Sequence, residues 1–353
     1  MTNSAVVITG ISLVFLLSAG HIHGDTKVIK IAPAVQTEAV AQDADDPAIW
    51  INPSDASKSL IIGTDKGNDA AKGGIYVFDL DGKTRQKILN LDRPNNVDVE
   101  YGLKINGEET DIVVATERNK KRLVIFKIDK KRGTLTDITG GDTSVFKGET
   151  GPASEPMGIA LYRRPSDGSV YAFVSRKTGP KSGYLGQYRL APAANGKVNL
   201  EMVRVLGNWS GGSEIESIAV DDKASLVVYS DEGFGYRVWK ADPDAVGADK
   251  EVNVFGKAGW KGDREGVGFY PLGGKTLSVC TDQIIGGSKH YIFESAAKSM
   301  DAPIAVLETT ADETDGIEVT EKPLGPKFPN GLLVVMNSSG RNFWLFAFPS
   351  ESL

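Results

Sequence analysis

Cysteine is almost absent: Cys280 is the single one among 353 residues, so no intramolecular disulfide can form and cysteine usage leaves the compartment open. It stands in the apolar run Leu277-Ser278-Val279-Cys280, which reads as a buried thiol rather than a nucleophile. Histidine is nearly as scarce. His21 and His23 lie close to the N-terminus, leaving only His290 for a folded body, which argues against a histidine-rich zinc site or a catalytic triad. Positive charge is not in excess. The formal net charge of −6 argues against nucleic-acid binding driven by overall charge and is compatible with binding cations. Helical periodicity is nowhere sustained over a dozen residues. Beyond residue 24 no apolar run is long enough to span a membrane.

The first two dozen residues differ in kind. Val6 to Ala19 is apolar, with Ser18-Ala19-Gly20 supplying small residues at its end, as in a secretory signal peptide. Residues 2–10 carry no Lys or Arg, so an uncleaved anchor is the alternative. The expectation is a signal peptide over 1–24, a secreted or periplasmic protein, and one domain over 25–353.

That domain reads as short β-branched and aromatic runs broken by Gly, Asp, Asn and Pro, which predicts an all-β fold. One stretch is unusually acidic: Asp43-Ala44-Asp45-Asp46-Pro47-Ala48-Ile49-Trp50. Related openings recur about 50 to 60 residues apart, at Asn95-Asn96-Val97-Asp98, Glu155-Pro156-Met157-Gly158, Glu216-Ser217-Ile218, Glu265-Gly266-Val267 and Asp315-Gly316-Ile317. Each leads into an alternating run. A continuous apolar run follows, such as Leu60-Ile61-Ile62-Gly63-Thr64 or Asp111-Ile112-Val113-Val114-Ala115, then an aromatic run such as Ile75-Tyr76-Val77-Phe78. A weaker fourth run closes five of the units. Four strands per repeat predict a six-bladed β-propeller with four-stranded antiparallel blades. The sixth unit lacks a fourth run. Residues 28–40 are expected to supply it as the outer strand of the last blade and close the ring.

In such a ring the openings converge. Asp45, Asp46, Asn95, Asn96, Asp98, Glu155, Glu216, Asp263, Glu265, Glu313 and Asp315 are expected on one face, where they repel one another unless cations lie among them. Oxygen donors with no imidazole or thiolate favour Ca²⁺; the competing reading is a set of strand-ending turns satisfied by backbone N–H groups. Lys66, Lys72, Arg118, Arg176 and Lys177 follow the second runs and are expected beside the acids, which suits an anionic ligand such as phosphate. Each of these bases taken singly also reads as a solvated surface charge.

With these pieces and with Asp263-Arg264-Glu265-Gly266, Asp315-Gly316-Ile317-Glu318-Val319 and Leu324-Gly325-Pro326-Lys327-Phe328-Pro329-Asn330-Gly331, the chain resembles the β-propeller phytases, the calcium-dependent alkaline class, over most of 36–350. The resemblance implies hydrolysis of phosphate monoesters of myo-inositol hexakisphosphate, taken as a calcium complex across two phosphate sites, with a metal-bound water attacking phosphorus directly. It implies active-site calcium ligands at Asp45, Glu216, Asp231, Asp263, Glu265 and Gln283. A more structural calcium site would be formed by Asp46, Asn95 and the carbonyls of Pro47 and Val97. Asp315 is counted among the metal ligands. Arg118 and Lys177 match phosphate-binding bases, and Lys66 or Lys72 matches a first-blade lysine. Met157 replaces a tyrosine typical of the family, and the short Asn337-Ser338-Ser339-Gly340 replaces a longer acidic loop. Two other functions remain open at this point: another metal-dependent propeller hydrolase (a lactonase or phosphodiesterase), and a non-catalytic anion-binding propeller. A monomer is expected, because a closed propeller is self-sufficient.

Overall fold

Continuous apolar runs need cover on both faces, and in the computed structural model each second run receives it from two directions. The structure describes residues 26–67, 71–294 and 302–353; the expected export segment lies outside them. Six blades of four antiparallel strands follow one another along the chain, the fifth with one added parallel strand. The first blade is Ala44–Trp50, Leu60–Asp65, Gly73–Asp79 and Thr84–Leu91. The innermost strands of the other blades are Pro94–Ile105, Pro156–Arg163, Ile218–Asp221, Arg264–Leu272 and Ile317–Thr320. These strands touch in ring order, and the sixth meets the first. Among the described residues the helical content is three short 3₁₀ turns. No helix there is long and apolar enough to cross a membrane.

The core is divided by blade interface. Ile61 packs with Val334 and Phe343 of blade six, while its neighbour Ile62 packs with Val97 and Val113 of blade two. Strand alternation therefore glues each blade to both neighbours. Both isoleucines are fully buried, each worth roughly 1.5–3 kcal/mol of burial. Cys280 and His290 are also fully buried. Burial raises the Cys280 thiol and lowers His290 to about 3, so the histidine stays neutral with Nδ1 3.1 Å from Thr281 Oγ1.

The N-terminal closure is real but divided. Val35–Gln36 pairs antiparallel with Trp344 and Leu345, and Val40 N–H donates to the Arg341 carbonyl at 2.8 Å, so this half supplies the outer strand of blade six. The preceding Lys27–Lys30 instead adds a fifth, parallel strand to blade five, pairing with Ala305–Glu308. The whole of 28–40 does not join the last blade. Ile29 and Ile31 find apolar cover at the interface of blades five and six, which draws this half across.

The strap covers two sheet edges. A chain beginning after residue 40 is therefore expected to melt about 10 °C or more below one beginning at Thr26. An unchanged melting temperature by circular dichroism would contradict this closure.

Candidate active site

A local irregularity decides where the acidic openings point. In blades one, two, three and five the innermost strand gains one residue against its partner at its very start: Ala44 and Pro47 oppose Asp65 and Gly63, and Pro94 and Val97 oppose Glu117 and Ala115. The same shift occurs at Pro156/Ile159 and Arg264/Val267. A bulge of this kind breaks the alternation that would otherwise aim consecutive side chains to opposite faces. Hydroxyls closing the second strands satisfy three of the displaced N–H groups: Asp46 N donates to Thr64 Oγ1 at 2.9 Å, Asn96 N to Thr116 Oγ1 at 3.2 Å and Gly158 N to Ser175 Oγ at 2.9 Å.

The next two positions of the second strand have separate duties. The first holds the loop arriving from the previous blade. Asp65 accepts from Ala41 and Asp43 N–H, Glu117 from Asp92, Asp231 from Ser210, Asp282 from Gly262 and Asn337 from Asp312. The second is fixed by its own N–H, which donates to a carbonyl of the arriving loop in every blade: Lys66 to Asp43, Arg118 to Arg93, Lys177 to Glu155, Glu232 to Glu214, Gln283 to Asp263 and Ser338 to Asp312. Around the ring this second position carries three cations, then a carboxylate, an amide and, in blade six, a hydroxyl.

These side chains meet the acidic openings. Lys66 Nζ lies 2.6 Å from Asp45 Oδ1 and 3.7 Å from Asp315 Oδ2. Gln283 Nε2 donates to Asp315 Oδ1, and Asn95 Nδ2 reaches across from blade two to Glu216 Oε1 of blade four. Lys177 pairs with Glu214. Arg118 is only 6 % exposed; one terminal nitrogen meets Met157 Sδ, and its Nε has no hydrogen-bond partner. Glu214, Glu216 and Glu232 each bring a carboxylate oxygen within 4.8 Å of one another, as do Glu232, Asp263 and Glu265. Asp46 lies deeper, its Oδ2 accepting from Val97 N–H at 2.9 Å. Gly316 passes so close to Asp46 that a Cβ would collide with its carboxylate. Asp46, Pro47 and Val97 line the mouth of a 510 Å³ axial channel.

The electrostatics are those of a crowded acidic ring. Burial, against the pull of Lys66, raises Asp45 well above the usual carboxylate range. Burial likewise raises Asp46 and Glu265 strongly, Asp315 to about 6 and Glu232 to about 7. For Lys66, burial acts to lower the pKa, but Asp45, Glu216 and Asp315 outweigh it and hold the ammonium charged. Both Asp45 oxygens and Asn95 Oδ1 are buried without a hydrogen-bond donor in good geometry. The Asp45 carboxylate, held by Lys66 without a well-directed hydrogen bond, and the unpartnered Asn95 Oδ1 sit among further carboxylates and amides, and this all-oxygen donor set fits a hard divalent cation and suits neither a soft metal nor zinc.

The sequence profile of the phytase family matches residues 1–342. The chain is also 30% identical over 342 residues to a 3-phytase of Bacillus subtilis strain 168, covering 93% of this chain and 84% of that protein. The chain belongs to the phytase family. Among solved structures, the α-L-arabinanase of Penicillium chrysogenum, crystallised with arabinobiose, superposes with a TM-score of 0.59 at 8% identity, covering 91% of this phytase and 99% of the arabinanase. That likeness concerns the fold alone.

Not every expected residue joins this phytase's ring. Asp231 does not: Ser210 Oγ donates to its Oδ1 at 2.6 Å, and Ser210 N–H and Arg237 Nε donate to its Oδ2 at 2.8 Å each. It occupies the loop-holding position, and the adjacent Glu232 occupies the facing one. Lys66 meets the acids, whereas Lys72 lies exposed in the following loop. Arg176 also turns away, its guanidinium donating to the Gly183 and Tyr184 carbonyls. Asp98 turns into the channel, where its Oδ2 accepts from Leu161 N–H of the next blade at 2.7 Å. Glu214 was missed by sequence reading, although Glu214-Ile215-Glu216 places two acids at extended-chain spacing.

Two outcomes follow. Glu232→Gln is expected to weaken divalent-cation binding about tenfold by calorimetry. Asp231→Asn should instead cost about 2 kcal/mol or more of stability and leave that binding largely intact. The reverse pattern would contradict the assignment. Secondly, Asp315, Glu232, Asp98 at about 7 and Glu318 at about 8 keep protons in the fold that the unfolded chain has released. The folded state then binds more protons between about pH 4 and 8, so stability in chelator should fall as pH rises through that window. A melting temperature that rises instead would contradict it.

Proposed function

We propose that this chain hydrolyses phosphate monoesters of phytate, releasing inorganic phosphate, with calcium held by the acidic ring. The observation that carries this reading is the facing position of the second strands: Lys66, Arg118 and Lys177 on three consecutive blades, Glu232 and Gln283 on the next two. Such a ring can hold divalent cations on one side and a polyanion against the other. The 3-phytase name of the Bacillus subtilis relative supports phytate as the substrate class.

Glu214, Glu216, Glu232, Asp263 and Glu265 would hold cations on the blade-four and blade-five side, with Asp45, Asp315 and Gln283 completing the ring. Asp46, Asn95 and the carbonyls of Pro47 and Val97 would hold a further, more structural one. When bound, calcium supplies charge neutralisation for the phosphate dianion and acidifies water near phosphorus. Arg118 and Lys177 orient the phosphoryl group and stabilise charge on its equatorial oxygens. Buried Arg118 has an unpartnered Nε that suits it to this task. Met157 offers it a thioether where a tyrosine would offer a hydroxyl, so here phosphate binding leans more on the cations. The protein acts as an exported monomer, with residues 1–24 as the export signal and 25–353 as one catalytic domain.

The test is phosphate release from phytate across a calcium titration, with chelator as control. Release is expected only with calcium and with an alkaline optimum, and Arg118→Ala and Lys177→Ala should each lower kcat/KM by about 10²-fold. Calcium-independent release, an optimum below about pH 5 or undiminished variants would overturn the reading; calcium binding without release would favour a binding module.

A further inference from the structure

Two lysines of the ring already satisfy carboxylates that a metal ion would use. Lys66 Nζ sits 2.6 Å from Asp45 Oδ1 and 3.7 Å from Asp315 Oδ2. Asp45 is completely buried, and neither of its oxygens accepts a well-directed hydrogen bond, so this ammonium is its chief compensation. On the far side of the ring, Lys177 pairs with Glu214, itself one of the three clustered glutamates. An ammonium and a divalent ion cannot share one carboxylate oxygen at contact distance without strong mutual repulsion. The lysine stem is long and flexible, with a charge that can be redirected over several ångströms.

We infer that Lys66 and Lys177 are resident counter-ions of the ring, exchanged for calcium on the carboxylates and thereby handed to the phosphate groups of the substrate. The inference rests on the calcium and phosphate reading above and adds a coupling between the two ligands. Calcium frees the lysines for the anion. The anion holds the lysines off the carboxylates, and by linkage strengthens calcium binding by the same factor. One pair of side chains thus compensates the ring when calcium is scarce and contributes to substrate affinity when it is present.

Calorimetric titration with calcium, alone and with myo-inositol hexasulfate as a non-hydrolysable polyanion, separates the possibilities. Lys66→Met is expected to bind calcium about fivefold or more tighter than the unsubstituted protein, because the competing ammonium is gone. Lys72→Met, which removes the same charge from the same loop, should give a much smaller change. Hexasulfate should tighten calcium binding in the unsubstituted protein and do so less in Lys66→Met. Lys177→Met repeats the test at Glu214, should the first variant fold poorly. Unchanged or weaker calcium binding in both ring variants would overturn the exchange while leaving calcium and phytate in place. An equal gain in Lys72→Met would overturn it too, since net charge would then suffice. If the unsubstituted protein takes up no calcium at millimolar concentration, the calcium reading falls and the exchange falls with it.

Discussion

The site depends on one extra residue at the start of four innermost strands. Without the bulge, strict alternation would send Asp45 and Asp46 to opposite faces. With it, Asp45 faces Lys66 and Asp315, while Asp46 reaches the Val97 N–H of the next blade. The displaced N–H groups need partners, because an unmade buried hydrogen bond costs about 1–3 kcal/mol. Thr64, Thr116 and Ser175 supply them. The hydroxyl, the loop-holding group after it and the facing residue after that form a three-residue device that most blades repeat. It converts a propeller's rotational repetition into a ring of aimed side chains.

The ring is not chemically symmetric. Blades one to three place cations at the facing position, and blades four and five place a carboxylate and an amide there. Rotation sets these groups around a common axis, and opposite charges meet where neighbouring blades adjoin, as Lys66 of blade one does with Asp315 of blade six and Lys177 of blade three with Glu214 of blade four. Burying several carboxylates this way costs stability unless cations compensate them. A site that needs both metal ions and a polyanion to become neutral has a physical reason to bind them together.

Much of this was legible in the sequence because the repeats are carried by apolar pattern and turn chemistry, and both survive sequence divergence. The six openings, the second runs covered on both faces and the all-oxygen character of the ring can all be read directly. The division of the N-terminal strap cannot. Val28, Ile29 and Ile31 announce a strand, but its pairing with Ala305–Glu308 depends on cover from residues distant in the chain. Asp231 and Glu232 illustrate a second limit. Adjacent acids look interchangeable until Ser210 and Arg237 claim the first. A signal for the right choice did exist: Glu232 is in register with Lys66, Arg118 and Lys177, each two residues past a hydroxyl. Lys66 over Lys72 follows from the same register.

The central claim is that the bulged openings and the facing positions together make a cation-binding ring. Crystals soaked in calcium test it most directly, through anomalous difference density. The account predicts peaks ligated by Glu214, Glu216 and Glu232 and by Glu232, Asp263 and Glu265, with Asp231 still bonded to Ser210 and Arg237. A ring that stays without such density at saturating calcium, or one in which Asp231 replaces Glu232 as ligand, would contradict it.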